Sequence, residues 1–175
     1  MAIDMKEIIA EKFSVISKTK SIDKITVKEL VEACNISRQA FYYHFQDIMD
    51  VASWQSKKHM ESVLQASLQA ESIEEAIRIF VTFFSESREV IMRRLESSMY
   101  RQYETLLNDE IRAFLKGLAQ RGNKSVSYTD FEAAMDFCVG GMYTMLMTYA
   151  GKSAEKDQWL TRQLRRLISG ELSLI

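Results

Sequence analysis

Apolar residues in this chain recur at helical spacing, and no run alternates apolar and polar positions as a half-buried strand would. The clearest short case is Val27, Leu30, Val31 and Cys34, with Ala33 beside them, which form one stripe of a helix. Thr26-Val-Lys-Glu29 before it reads as a capping box: the Thr26 hydroxyl accepts from the Glu29 N–H, and the Glu29 carboxylate reaches back to the Thr26 N–H. Asn35 ends the helix, because Asn tolerates the left-handed backbone that a tight turn needs. Ile36 is then free to point back into a small core, and Ser37 caps a second short helix with Phe41 and Phe45 on its inner face. Asp47 caps a long helix over 48 to about 70, and Ser72-Ile-Glu-Glu75 opens another through Phe80, Phe83 and Phe84. A separate shorter helix through Val90, Ile91 and Leu95 follows, then one over 100 to about 120 and a loop at 121–127. The last two long helices cover 129 to about 150 and 154 to about 169. The fold class expected is all-α.

Composition sharpens this picture. The chain has 175 residues, 47% of them hydrophobic, which is enough for one domain or two small ones with a real core. With no proline and six glycines, it favours long helices over many β-turns. The longest uncharged stretch, Phe137 to Gly151, is shorter than the ~20 residues a membrane span needs and reads as a deeply buried helix. No leader is visible, and the expected location is cytoplasmic with no membrane partner. Cys34 and Cys138 are far apart, and His44 and His59 have no carboxylates at zinc spacing, so no metal and no cofactor are expected. No phosphate loop or nucleophile–base pairing points to an enzyme. The net charge of −1 rules out binding nucleic acid through a bulk field. Between Lys18 and Phe45, however, basic residues exceed acidic ones by two.

The candidate chemistry lies on the outer face of the second short helix: Arg38, Gln39, Tyr42, Tyr43 and His44. Arg can donate twice to guanine O6 and N7, and Gln can pair with adenine N6 and N7. Tyr hydroxyls and His can donate to phosphate, as can the N-terminus of the preceding helix near Lys28. A helical hairpin that merely packs is the bland alternative, but exposed Tyr-Tyr-His on so short a helix has no packing reason.

The first fifty or so residues, with Ile9 and Phe13, Ile25-Thr26-Val27, and Ser37 through Phe-Tyr-Tyr-His-Phe45, resemble the N-terminal helix-turn-helix domain of TetR-type transcriptional regulators. The run from Phe41 to Val51 further resembles a subgroup that includes regulators of dihydroxyacetone-kinase operons. The resemblance implies a three-helix DNA-binding domain at 1–47 and a helical effector-binding and dimerisation domain at 48–175. It implies that Arg38 and Gln39 face bases, that Tyr42, Tyr43 and His44 meet phosphates or base edges, and that Thr26 and Lys28 meet phosphate, with Ser37 at the same edge. Ile48 stands where most of the family has a phosphate-contacting Lys, and Asn35 where it has a turn glycine.

In the second part, Gly140-Gly141 in mid-helix costs about 1 kcal/mol per residue against Ala, which suggests a close backbone approach. The resemblance implies that the last two helices pair between subunits, placing Phe137, Gly141, Met145, Leu164 and Ile168 near a dimer interface; packing within one subunit is the alternative. It also implies an effector cavity, for which Phe83, Phe84, Met99, Tyr103 and Met142 are candidates, although Met and aromatic residues at helical spacing are more often plain core. Arg93-Arg94 and Arg165-Arg166 read as solvated faces, with an anion site as the alternative. The expected function is a homodimeric regulator, a repressor by preference, that binds a palindromic double-stranded operator and responds to an unknown small molecule or partner. The competing reading is a helical co-regulator that acts through protein contacts with weak or no DNA binding.

Overall fold

The computed structural model describes residues 4–121 and 128–172, and all regular structure among them is helical. The elements are α1 (Met5–Ser17), a 3-10 turn (Ile22–Lys24), α2 (Val27–Cys34), α3 (Arg38–His44), α4 (Ile48–Leu68), α5 (Ile73–Leu95), α6 (Tyr100–Gln120), α7 (Tyr128–Tyr149) and α8 (Ala154–Ser169). The architecture is all-α, with an N-terminal helix-turn-helix and a C-terminal helical part. Most of the expected loop at 121–127 lies outside the described residues.

The helix starts follow local side-chain chemistry. Thr26 Oγ1 accepts from the Glu29 N–H at 3.2 Å, Ser37 Oγ from the Ala40 N–H at 3.1 Å, and Asp47 Oδ1 from the Asp50 N–H at 2.8 Å. Ser72 and Ser153 do the same for α5 and α8. The reciprocal half of the Thr26 box differs from expectation, because the Glu29 carboxylate turns to Lys20.

Packing divides the chain into two compact units. One comprises Met1–His59 and Glu89–Tyr103; the other comprises Met60–Arg88 and Glu104–Ile175. Helices α4, α5 and α6 each begin in one unit and end in the other.

The core of the first unit is built from Ile9, Phe13, Ile22, Ile25, Leu30, Phe41, Phe45 and Val51, with Ile36, Ile48, Trp54 and Met99 packed against it. It also contains Arg94, which is 7% exposed rather than on a solvated face. Its guanidinium donates to Ser56 Oγ at 2.9 Å, Gln55 Oε1 at 2.9 Å and the Tyr103 hydroxyl at 3.3 Å. It also lies over the Phe13 and Tyr103 rings. Gln55 in turn donates to the Ala10 carbonyl. These neutral acceptors and aromatic faces are what allow a charged group to sit there.

The second unit centres on Phe80, stacked on Phe114 at 4.0 Å, with Ile77, Phe84, Leu107, Ile111 and Leu146 fully buried around it. Arg88 donates to the Met147 and Ala150 carbonyls and so closes the end of α7. Gly151 follows at φ +70°, where an added Cβ would meet the Ser85 carbonyl oxygen at 2.9 Å.

Three expectations need correction. The two helices expected over 73–95 are one continuous helix, since Ser85, Glu86 and Ser87 between the apolar halves carry no helix breaker. The stretch from Phe137 to Gly151 is not deeply buried. Met142 and Leu146 face inward, whereas Phe137, Gly140, Gly141, Thr144 and Thr148 are exposed. Finally, among the described residues no backbone approaches the glycine pair, because an added Cβ at Gly140 or Gly141 would meet nothing within 4 Å.

Candidate nucleic-acid interface

The sequence places a presentable helix at α3 by fixing both of its ends. Asn35 adopts φ 53°, ψ 47°, so the chain leaves α2 through a left-handed residue, and its N–H reaches back to Glu32 and Val31. The Ile36 N–H also bonds the Val31 carbonyl, which turns the chain sharply into Ser37. Phe41 is fully buried, and Phe45, just past the helix end, is 2% exposed. These two anchors, with ring centroids 6.1 Å apart and Trp54 packed edge-on against Phe45, leave the opposite face free.

That face carries the residues expected from sequence. Arg38, Gln39, Tyr42 and Tyr43 are exposed, with Tyr43 at 85%, and His44 is half-buried. The Tyr42 ring leans edge-on against Phe41 at 5.4 Å, and the Tyr43 ring stands against His44 at 5.0 Å. Ser37 and Thr26 are exposed, but their oxygens are already engaged as caps. Lys28 is exposed and 4.0 Å from Glu32 on the next turn. Ile48 packs against the core, and the start of α4 carries two carboxylates that bond backbone: Asp47 at Asp50 N–H and Asp50 at Gln46 N–H. Elsewhere in the first unit, Ser98 donates to Asp23 through its hydroxyl at 2.7 Å and its backbone N–H at 3.1 Å. These two bonds hold the Asp23 carboxyl below its ordinary value.

The candidates in the rest of the chain fall less neatly. Of the five effector-pocket residues, Met99 and Tyr103 belong to the first unit, and Phe83, Phe84 and Met142 to the second. Met99 packs on the N-terminal core, and the Tyr103 hydroxyl serves Arg94. Within the second unit a cleft of about 620 Å³ runs between the first halves of α5 and α8, past Glu75, Arg78, Thr82, Asp157, Gln158 and Arg162, and it involves none of the five. Of the dimer-face residues, Phe137 is 81% exposed and Gly141 is open, while Met145 and Ile168 are half-buried. Leu164 is 2% exposed and packs inside its own unit; its exposed neighbour on α8 is Leu167. Cys34 and Cys138 are half-buried, and burial raises both thiols above their ordinary value.

Sequence reasoning did not single out Arg94 as a core residue. The available signal was its position three residues after Ile91 on the apolar stripe of α5, which is hard to weigh for a charged side chain. Among the described residues no cluster of three or more His, Cys, Asp or Glu could hold a metal, and no helix is long and apolar enough to cross a membrane.

This arrangement, a capped three-helix head continuing into a long-helix body, recurs in solved structures. The chain is similar to the dihydroxyacetone kinase operon activator DhaS (TM-score 0.68, 14% identity, covering 95% of this chain and 94% of that one). It is also similar to a TerR/AcrR-family transcriptional regulator from Aquifex aeolicus VF5 (TM-score 0.59, 21% identity, 97% and 100% covered). A third is the TetR-family repressor AlkX from Dietzia sp. strain DQ12-45-1b (TM-score 0.59, 12% identity, 95% of each chain covered). No protein-family model matches the chain, and no curated protein sequence matches it. The chain therefore has the TetR-type fold, and at these identities the likeness speaks for the fold.

Proposed function

We propose that this protein is a homodimeric, DNA-binding transcriptional regulator, with residues 1–47 reading DNA and residues 48–175 carrying dimerisation and effector response. The observation that supports this most directly is the face of α3. Arg38, Gln39, Tyr42 and Tyr43 stand exposed on a helix pinned from behind by Phe41 and Phe45. Arg38 and Gln39 are suited to base edges, and Tyr42, His44, Thr26 and Lys28 to phosphates. One such helix makes few contacts, so a two-fold pair on a palindromic site, with heads about 34 Å apart or at a related spacing, supplies the rest. The exposed, uncharged stripe of α7 around Phe137, Gly140 and Gly141 supports pairing with a second copy. A small molecule or partner bound at 48–175 would favour one head spacing over another and thereby shift operator occupancy. An activator and a repressor both share this fold, so the fold accommodates either sign of regulation. The proposed location is the cytoplasm.

A second reading, a co-regulator acting through protein contacts, draws on the electrostatics of the head. Lys20 is paired with Glu29, Lys28 lies beside Glu32, and α4 begins with acidic residues where a cation would help. A gel shift with DNA from upstream of the protein's own gene, at two salt concentrations, separates the two. Tight binding that weakens with salt is expected for the regulator; absence of binding at low salt would leave the co-regulator.

A further inference from the structure

We propose that Asp47 and Asp50 make the start of α4 a surface that holds DNA phosphates off, which lowers the sequence-independent share of this head's affinity. This rests on the DNA-binding reading above and gives a role to a part of the head outside α3.

A helix start ordinarily attracts an anion, because its first N–H groups are unbonded and the helix dipole is positive there. The helix starts around the helix-turn-helix treat that end differently. α2 begins on the Thr26 hydroxyl and α3 on the Ser37 hydroxyl, both neutral caps. The first-turn carboxylate of α2, Glu29, is taken by Lys20, and α3 has no acidic residue in its first turn. α4 instead begins on two carboxylates in a reciprocal arrangement. Asp47 Oδ1 accepts from the Asp50 N–H at 2.8 Å, and Asp50 Oδ2 accepts from the Gln46 N–H at 3.0 Å. Among the described residues, no ion pair involves Asp47 or Asp50, whereas Glu7, Glu29 and Glu32 each have a lysine beside them. The positive end of α4 is therefore met by negative charge that nothing else offsets.

The neighbouring side chains supply no cation. Ile48 packs on the core and Met49 is buried, which leaves Gln46 and Asp47 exposed and Asp50 half-buried. Asp47 lies three residues after His44, the last residue of α3. An extended chain of three residues reaches at most about 11 Å. That is close to one Debye length, about 10 Å in 0.1 M salt. A duplex held against α3 carries one phosphate charge per ~1.7 Å of its axis, so its backbone falls within electrostatic reach of Asp47. Asp50 stands one helical turn further on.

The test removes charge and keeps the caps, since Asn accepts the same N–H bonds as Asp. Full-length wild type, D47N, D50N and the double variant are measured on a site selected with wild type and on an unrelated duplex, at low and high salt. Each asparagine is expected to tighten binding to both duplexes about threefold at low salt, the effect of one unit charge removed from about 6 Å away in water. The gain is expected to shrink at high salt, where screening already hides the carboxylates. If D47N loses helicity, D47S supplies another neutral cap at the same position. Unchanged affinity in every folded variant would overturn the proposal. So would a gain confined to the selected site, since that would mark a base contact and not the backbone. If neither wild type nor any variant binds either duplex at low salt, the regulator reading itself fails, so the two failures are distinguishable.

Discussion

The exposed faces of α3 and α7 differ in kind. On α3 the exposed side chains are Arg38, Gln39, Tyr42 and Tyr43, long groups that each end in a donor or acceptor. On the second half of α7 they are Phe137, Gly140, Gly141, Thr144 and Thr148, short or apolar groups, with the Asp136 carboxylate exposed just before them and paired with Arg112. The first face suits a surface patterned with acceptors and methyl groups. The second suits another helix, because small residues let backbones come close, and the Thr144 hydroxyl is already spent on the Gly140 carbonyl. Exposure alone thus says little. What the uncovered atoms can bond to separates a nucleic-acid face from a protein face.

The largest expected effect tests the α7 face. Phe137→Glu should split the proposed dimer, since a two-fold interface counts the loss twice, about 3–6 kcal/mol from apolar burial alone. Sedimentation should show a single chain with unchanged helicity; a variant that stays dimeric would remove α7 from the interface. Next comes the α3 face, where Arg38→Ala should cost about 1–3 kcal/mol of DNA affinity and relax base preference at one position per half-site, read by competition binding. Gly141→Ala sharpens the comparison by its sign. A lone chain should gain about 1 kcal/mol of stability from helix propensity, whereas a closely paired α7 should lose dimer affinity. Thermal melts across protein concentration distinguish these outcomes. Tyr42→Phe should weaken binding to all sequences alike by about 0.5–1.5 kcal/mol, the value of one hydrogen bond, and a loss confined to particular sequences would make Tyr42 a base reader instead.

The smallest effect concerns the bond between Ser98 and Asp23 in the first unit. Ser98 holds the Asp23 carboxyl below its ordinary value. The stabilisation it contributes is therefore complete above the ordinary carboxylate value and is lost as pH falls through the lowered folded value. Ser98→Ala should move the Asp23 titration upward in an NMR pH series. An unmoved titration would show that the bond does not form in solution.

Much of the head was legible in the sequence because its signals are local. A capping hydroxyl at a helix start, an Asn at the turn and a Phe pair four apart each act within about one turn of backbone, and each was found where expected. The body was less legible. The seam expected within 73–95 is absent because serines and a glutamate can continue a helix as well as interrupt one. The stretch Phe137 to Gly151 was misjudged because an uncharged run looks the same in sequence whether its chain buries it or leaves one face exposed. Arg94 was missed because charge is normally a sign of solvent, and its acceptors, Gln55, Ser56 and Tyr103, lie on other helices.

The sequence by itself determined the all-α class, the starts of the helices and the identity of the side chains on the outer face of α3, since caps, periodicity and turn residues are nearest-neighbour physics. Only the tertiary structure decided that Arg94 and Leu164 lie inside, that one face of α7 is left open, and that the suspected pocket residues belong to two packing units. Burial depends on which helices meet, and that is set by contacts between residues far apart along the chain.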